Sequence, residues 1–232
     1  MRAFFLMLTL LATFISSYAN ATFYLSTTRI IHHESMKESS FEVYNTSDDE
    51  ILIQGWLSAD KSEVLPFAMT PPLVKIAPQK SNMFRIFYEG SGLPKDRESF
   101  IWVNVLAIPM SSKVDDSLQV ALQQSIKLFY RPSNLSGDAR IAPELLMLSL
   151  KDNLLVVRNT TPYHVNIISF RKNGVEFEGD MIPPYGESAI TATGINGNGN
   201  IEVVVINDFG GEDTFEGVLR NGKLNKFKIK NQ

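Results

Sequence analysis

Two lone cations and one apolar triplet are the residues of this chain that stand out as candidates for binding. Arg29 lies in Leu25-Ser26-Thr27-Thr28-Arg29-Ile30-Ile31 and Lys127 in Ser125-Ile126-Lys127-Leu128-Phe129, each the single positive charge of a strand-like window. Taken singly, either reads as a surface or snorkelling charge. Leu118, Val120 and Leu122 recur at every second position ahead of Lys127, and Pro132 stops the run. Such alternation describes a strand, which normally rests its apolar face on a core. Catalytic chemistry has few candidates. The histidines are His32, His33 and His164. Adjacent strand residues point to opposite faces, so His32 and His33 cannot easily ligate one metal. The expectation is therefore surface histidines and no metal site. With no cysteine in the chain, thiol nucleophiles and cysteine-containing metal sites are excluded. Neither a Gly-x-Ser-x-Gly elbow nor a His-Glu-x-x-His pair occurs, and a pair of glycosidase carboxylates cannot be picked out by counting. The loop Gly194-Ile195-Asn196-Gly197-Asn198-Gly199-Asn200 lacks the strand-before, helix-after context of a phosphate cradle. No enzyme activity, cofactor or small-molecule substrate is expected.

The elements that must carry these residues are strands of an exported protein. Arg2 and the apolar run Ala3–Ile15 lead to Ser17-Tyr18-Ala19-Asn20-Ala21, the pattern of a signal peptide cleaved after Ala21. No later segment approaches the ~20 apolar residues of a spanning helix. Without disulfides the mature chain must hold together by packing, and its 44% apolar content is enough for real cores. Net charge is −3, or −4 once Arg2 is removed, which gives no footprint for nucleic acid. Short alternating runs follow one another: 40–44, 51–57, 73–76, 83–88 and 100–106, then 154–158, 165–170, 201–206 and 226–229. Turn clusters separate them at sandwich spacing. Thr70-Pro71-Pro72 is a candidate cis-proline corner, and Asn173-Gly174 and Asn221-Gly222 are hairpin turns. The polar stretch 132–138 separates two strand-dense halves, so domains are expected at 22–133 and 134–232 behind a signal peptide at 1–21.

Over almost its whole mature length the chain resembles the periplasmic pilus-assembly chaperones of the chaperone–usher (PapD-like) family. Thr28-Arg29-Ile30-Ile31 resembles that family's first strand and Thr70-Pro71-Pro72 its proline corner. Leu93 to Pro109 follows the signature segment almost position by position, and Ile126 to Pro132 is equally typical. Asn159 to Val165 and Asn207-Asp208-Phe209-Gly210-Gly211 match in the second half. Met110 departs from the pattern, where a small residue or proline is preferred.

The resemblance implies an all-β protein of two immunoglobulin-like β-sandwich domains in an L, or boomerang, arrangement. It implies pilin (fimbrial) subunits and an outer-membrane usher as partners. The chaperone lends a strand to a pilin sandwich that lacks its last one, with Leu118, Val120 and Leu122 as donor residues. Arg29 and Lys127 would bind the pilin's C-terminal carboxylate in the cleft between domains. Glu98, Arg131 and Asp208 occupy the positions of an interdomain ion-pair network. Lys127 has odd parity and the triplet even, so either a bulge intervenes or the two functions use opposite faces. The segment Met110–Ser117 resembles the short-loop branch of the family. An exposed apolar edge is an aggregation hazard, so the unloaded protein is expected to cap itself by weak self-association or by that loop. A secreted β-sandwich adhesin or carbohydrate-binding module is the alternative class, and it leaves the paired cations unexplained.

Overall fold

Alternating apolar residues fold the chain into two β-sandwiches, of which the computed structural model describes residues 22–59, 65–110 and 119–230. The first begins with β1 (Phe23–Leu25), β2 (Arg29–His33), β3 (Ser39–Asn45), β4 (Ile51–Ser58) and β5 (Phe67–Thr70). It continues through β6 (Leu73–Ile76), β7 (Ser81–Tyr88), β8 (Ser99–Pro109) and β9 (Leu122–Arg131). One sheet has the order β1-β3-β7-β5 and faces another of order β2-β9-β8-β4-β6. β1 and β2, consecutive in the chain, therefore lie in different sheets. β2 pairs with β9 in parallel, and β8 pairs with β9 antiparallel. The two-residue period decides what is buried. Phe41 and Val43 from β3, Phe84 and Ile86 from β7, Ile101, Val103 and Val105 from β8, and Ile126, Leu128 and Tyr130 from β9 meet in one core. Burying each such side chain is worth roughly 1.5–3 kcal/mol, and here that packing stands in for disulfides.

A short 3-10 helix, Ala139–Leu145, capped by Asp138 on the Arg140 N–H, leads into the second sandwich. Its strands are β10 (Met147–Lys151), β11 (Leu154–Arg158), β12 (Val165–Lys172), β13 (Val175–Glu178) and β14 (Met181–Ile182). β15 (Glu187–Thr191), β16 (Gly199–Ile206), β17 (Glu212–Leu219), β18 (Lys223–Leu224) and β19 (Lys228–Ile229) complete it. The sheets run β15-β11-β10-β18 and β13-β12-β16-β17-β19, with a separate core that includes Leu155, Phe170, Val203 and Phe215. The Asn-Gly turns form where the sequence places them, with positive φ at Asn173, Gly174, Asn221 and Gly222. The Thr70–Pro71 peptide is cis.

Three expectations need correction. The strand expected over 226–229 is paired only at Lys228–Ile229. Phe227 turns into the core and its N–H bonds to Glu144 O at 2.9 Å instead of to the sheet. The strand expected from Leu118, which itself lies outside the described residues, leaves residues 119–121 unpaired and is paired from Leu122. Continuing the register would set Val120 opposite Pro109, which has no N–H to give.

The third correction concerns the histidines. His32 is fully buried, 2.8 Å from the Ser39 hydroxyl through Nδ1 and stacked on Tyr130. His164 is also sunk, its side chain 8% exposed against Glu98. Burial, then the neighbouring His33, lowers the pKa of His32, whose Nε2 has no hydrogen-bond partner. The fold thus holds this ring neutral, while the unfolded chain protonates it near pH ~6.5. Its contribution is complete above that pH and declines below it, by at most ~1.4 kcal/mol per pH unit. Urea denaturation from about pH 7.5 to about pH 5.5 should show this loss, and His32→Phe should reduce the slope. Identical slopes would contradict a buried neutral ring.

Candidate functional site

The parallel register of β2 on β9 sets Arg29 directly against Lys127, and β8 places Trp102 on the other side of Lys127. Two cations remote in sequence thereby become cross-strand neighbours, an arrangement that costs energy unless an anion relieves it. Arg29 is 8% exposed and donates from Nη1 to Ile206 O at 3.1 Å, while its buried Nε has no partner. Burial lowers its pKa, opposed by the charges of Asp208 and Glu98. Lys127 is half-buried beside the rings of Trp102 and Phe100, and its Nζ donates to Asn166 Oδ1 at 2.8 Å. Burial and the nearby Arg29 both lower its pKa. Among the described residues no carboxylate forms an ion pair with either cation. The pair is desolvated, under-bonded and positively charged, which suits it chemically to an anion.

Beside it, Arg131 joins the two sandwiches. Its Nε and Nη2 both reach Glu98 Oε1 at 2.7 Å. Its Nη1 and Nη2 hold Asp208 bidentately at 2.7 and 3.0 Å. Glu98, 4% exposed, also accepts the His164 N–H at 2.8 Å through Oε2, and its own N–H bonds Pro162 O at 2.9 Å. The Arg131 guanidinium lies over the Tyr163 ring. Burial acts to lower the Arg131 pKa, but the hydrogen bonds and charges of Asp208 and Glu98 outweigh it and raise the pKa overall. Asp208 comes from the β16–β17 loop, where Gly210 at φ +84° abuts Thr28, leaving no room for a Cβ. The three residues expected to form a network across the domain boundary are thus in direct contact.

The third feature is the free edge of β9. β2 covers only residues 127–131, so among the described residues Leu122–Ile126 pairs with β8 alone. The β8–β9 register is unbroken from Ser99↔Tyr130 to Ala107↔Leu122. No bulge intervenes between Leu122 and Lys127, so these two residues use opposite faces. Leu122 continues the inward parity of Ile126 and Leu128 past the end of the core, where it is 42% exposed; Val120 is 58% exposed. Lys127 faces the cleft. Leu118 and the segment 111–118 lie outside the described residues. Asn166 and His164, which complete the cation site and the network, were not among the expected residues. A polar side chain interrupting Val165-Asn166-Ile167 was the available signal for the first.

Two immunoglobulin-like sandwiches, with a cationic cleft between them and an unpaired apolar edge at its side, form a polypeptide-binding class of architecture. Residues 22–136 match the model of the pili and flagellar-assembly chaperone PapD N-terminal domain, and residues 141–217 that of the pili assembly chaperone PapD C-terminal domain. The chain is 45% identical over 195 residues to "Probable fimbrial chaperone LpfB" of Escherichia coli O157:H7, covering 80% of this chain and 83% of that protein. It is 35% identical over 200 residues to the chaperone protein FocC of Escherichia coli, covering 84% and 87%. Among solved structures, the SafB chaperone of Salmonella enterica in complex with the SafA pilin superposes with a TM-score of 0.79 at 30% identity, covering 88% and 99%. The periplasmic chaperone SfaE gives 0.73 at 33% identity, covering 85% and 100%. This chain belongs to the PapD-like family of pilus-assembly chaperones.

Proposed function

We propose that this protein holds fimbrial subunits by lending them the free edge of β9 and passes them to an outer-membrane usher. The observation that carries this reading is one strand with two unsatisfied features. Among the described residues, Leu122–Ile126 of β9 has an open edge with Leu122 and Val120 exposed beside it, and Lys127 further along has no anionic partner. Leu118, Val120 and Leu122 supply alternate side chains for a hydrophobic groove, and Arg29 with Lys127 receives the subunit's terminal carboxylate. The SafA–SafB complex, a chaperone with a bound pilin, supports the assignment. Magnitudes explain why both features are needed. Burying three such side chains is worth roughly 5–9 kcal/mol gross, whereas association costs of order 4–15 kcal/mol. The strand alone would bind weakly, and the carboxylate contact adds affinity and fixes register, since a one-residue slip reverses every side chain. Glu98, Arg131 and Asp208 hold the domains at the angle that brings the two features together. In this reading residues 1–21 are removed on export to the periplasm, and 22–133 and 134–232 are the working domains.

Val120→Asp and Leu122→Asp test the donor role. Both positions are exposed, so each protein should melt within a few degrees of wild type. A carboxylate cannot enter an apolar groove unpaired, so co-purification of a co-expressed pilin from the periplasm should disappear. Unfolding of these variants would instead make the segment part of the chaperone's own core, and undiminished pilin recovery would remove it from the binding surface.

A further inference from the structure

We infer that Asn104 is a positioning residue for the lent strand: its side chain replaces the second strand that the free half of β9 lacks. The inference rests on the function proposed above. Asn104 sits on β8 with its side chain on the outward parity, between Trp102 and Leu106, yet it is only 5% exposed. Its amide links three strands. Nδ2 donates to Ser58 Oγ of β4 at 2.9 Å. Oδ1 accepts from Ser125 Oγ at 2.7 Å and from Gln123 Nε2 at 3.3 Å, both on β9. Gln123 Nε2 and Ser125 Oγ are themselves 3.2 Å apart, closing the set.

The location gives these bonds their purpose. Among the described residues β9 is flanked on both sides from residue 127 onward but on one side only over Leu122–Ile126. A strand paired on one edge opens more readily than one in mid-sheet. Gln123 and Ser125 are the outward residues of that half, lying between Leu122 and Lys127. Asn104 stitches both to β8 and, through Ser58, to β4. The stretch separating the donor side chains from the cation site is thereby held straight before a partner arrives, while its outer backbone edge stays open. Strands organised in advance lose less freedom on binding, which favours capture.

Amide hydrogen exchange and pilin capture test this together. In the free chaperone, Asn104→Ala and Ser125→Ala should speed exchange at least about tenfold at those amides of residues 122–125 that bond to β8, leaving the doubly flanked residues 128–130 unchanged. Capture of a co-expressed pilin should slow by a similar factor, and Ser125→Thr, which keeps the hydroxyl, should restore both readouts. Ser125 is exposed, so its variants report even if Asn104→Ala fails to fold. Unchanged exchange, or faster exchange with unaltered capture, overturns the inference. If wild type itself captures no pilin, it is the proposed function that fails, and the exchange data still decide whether Asn104 holds the strand.

Discussion

Arg29→Ala, or Lys127→Ala, is expected to leave a folded protein that no longer retains a pilin. Each cation is desolvated, with its pKa lowered chiefly by burial, so its removal relieves the free protein rather than straining it. In a complex, deleting one side of a buried charge-assisted contact costs about 2–5 kcal/mol, roughly 30- to 5,000-fold in affinity. The sign of the pH dependence follows from Lys127. An anion binds its charged form, so retention should be complete below its lowered pKa and fall as pH rises through it. A peptide copy of the last residues of a pilin, titrated with a free and with an amidated end, isolates this contact. Equal affinity for both peptides, or wild-type retention of the pilin by both variants, would remove Arg29 and Lys127 from the site.

The interdomain network should respond differently, because its loss strands a buried charge. Arg131→Ala leaves Glu98, 4% exposed, without its ion pair, holding the N–H and ring of His164 and feeling the charge of Arg29. Breaking a buried pair in this way typically costs 3–5 kcal/mol. A lower melting temperature and new proteolytic cleavage within 132–138 are expected, because Arg131 also carries the bidentate contact to Asp208 across the boundary. Asp208→Ala, at a half-buried site, should loosen the boundary with a smaller loss of stability. Wild-type melting and protease resistance in both would mean that these contacts do not hold the domains together.

Much of the scaffold was legible because burial in a sandwich follows a period of two, as in Phe41/Val43 or Ile101/Val103/Val105. β17 escaped notice because Glu212, Asp213, Thr214, Glu216 and Gly217 mask an inward pair, Phe215 and Leu219. His32 departs from the surface position expected of it. Adjacency to His33 argues against a shared metal site, but His32 also has the parity of Ile30, which is buried. Extending the alternation by one step would have placed the ring inside. The network could not be reached by periodicity at all. Glu98, Arg131 and Asp208 lie on two sandwiches, and only the family resemblance put them together before the structure showed the contacts. Strand parity alone also could not decide between a bulge and two faces at Lys127; the β8–β9 register, unbroken from Leu122 to Tyr130, does so for Leu122.

The central claim is that the open half of β9 becomes the middle of a sheet when a pilin binds. Hydrogen exchange of the chaperone, alone and with a bound pilin, tests it most directly. Amides at residues 122–126 that point away from β8 should exchange quickly in the free protein and become strongly protected in the complex, while those at 128–130 stay protected throughout. Unchanged exchange at 122–126 in a complex that still holds its pilin would contradict strand lending and place the pilin elsewhere on the molecule.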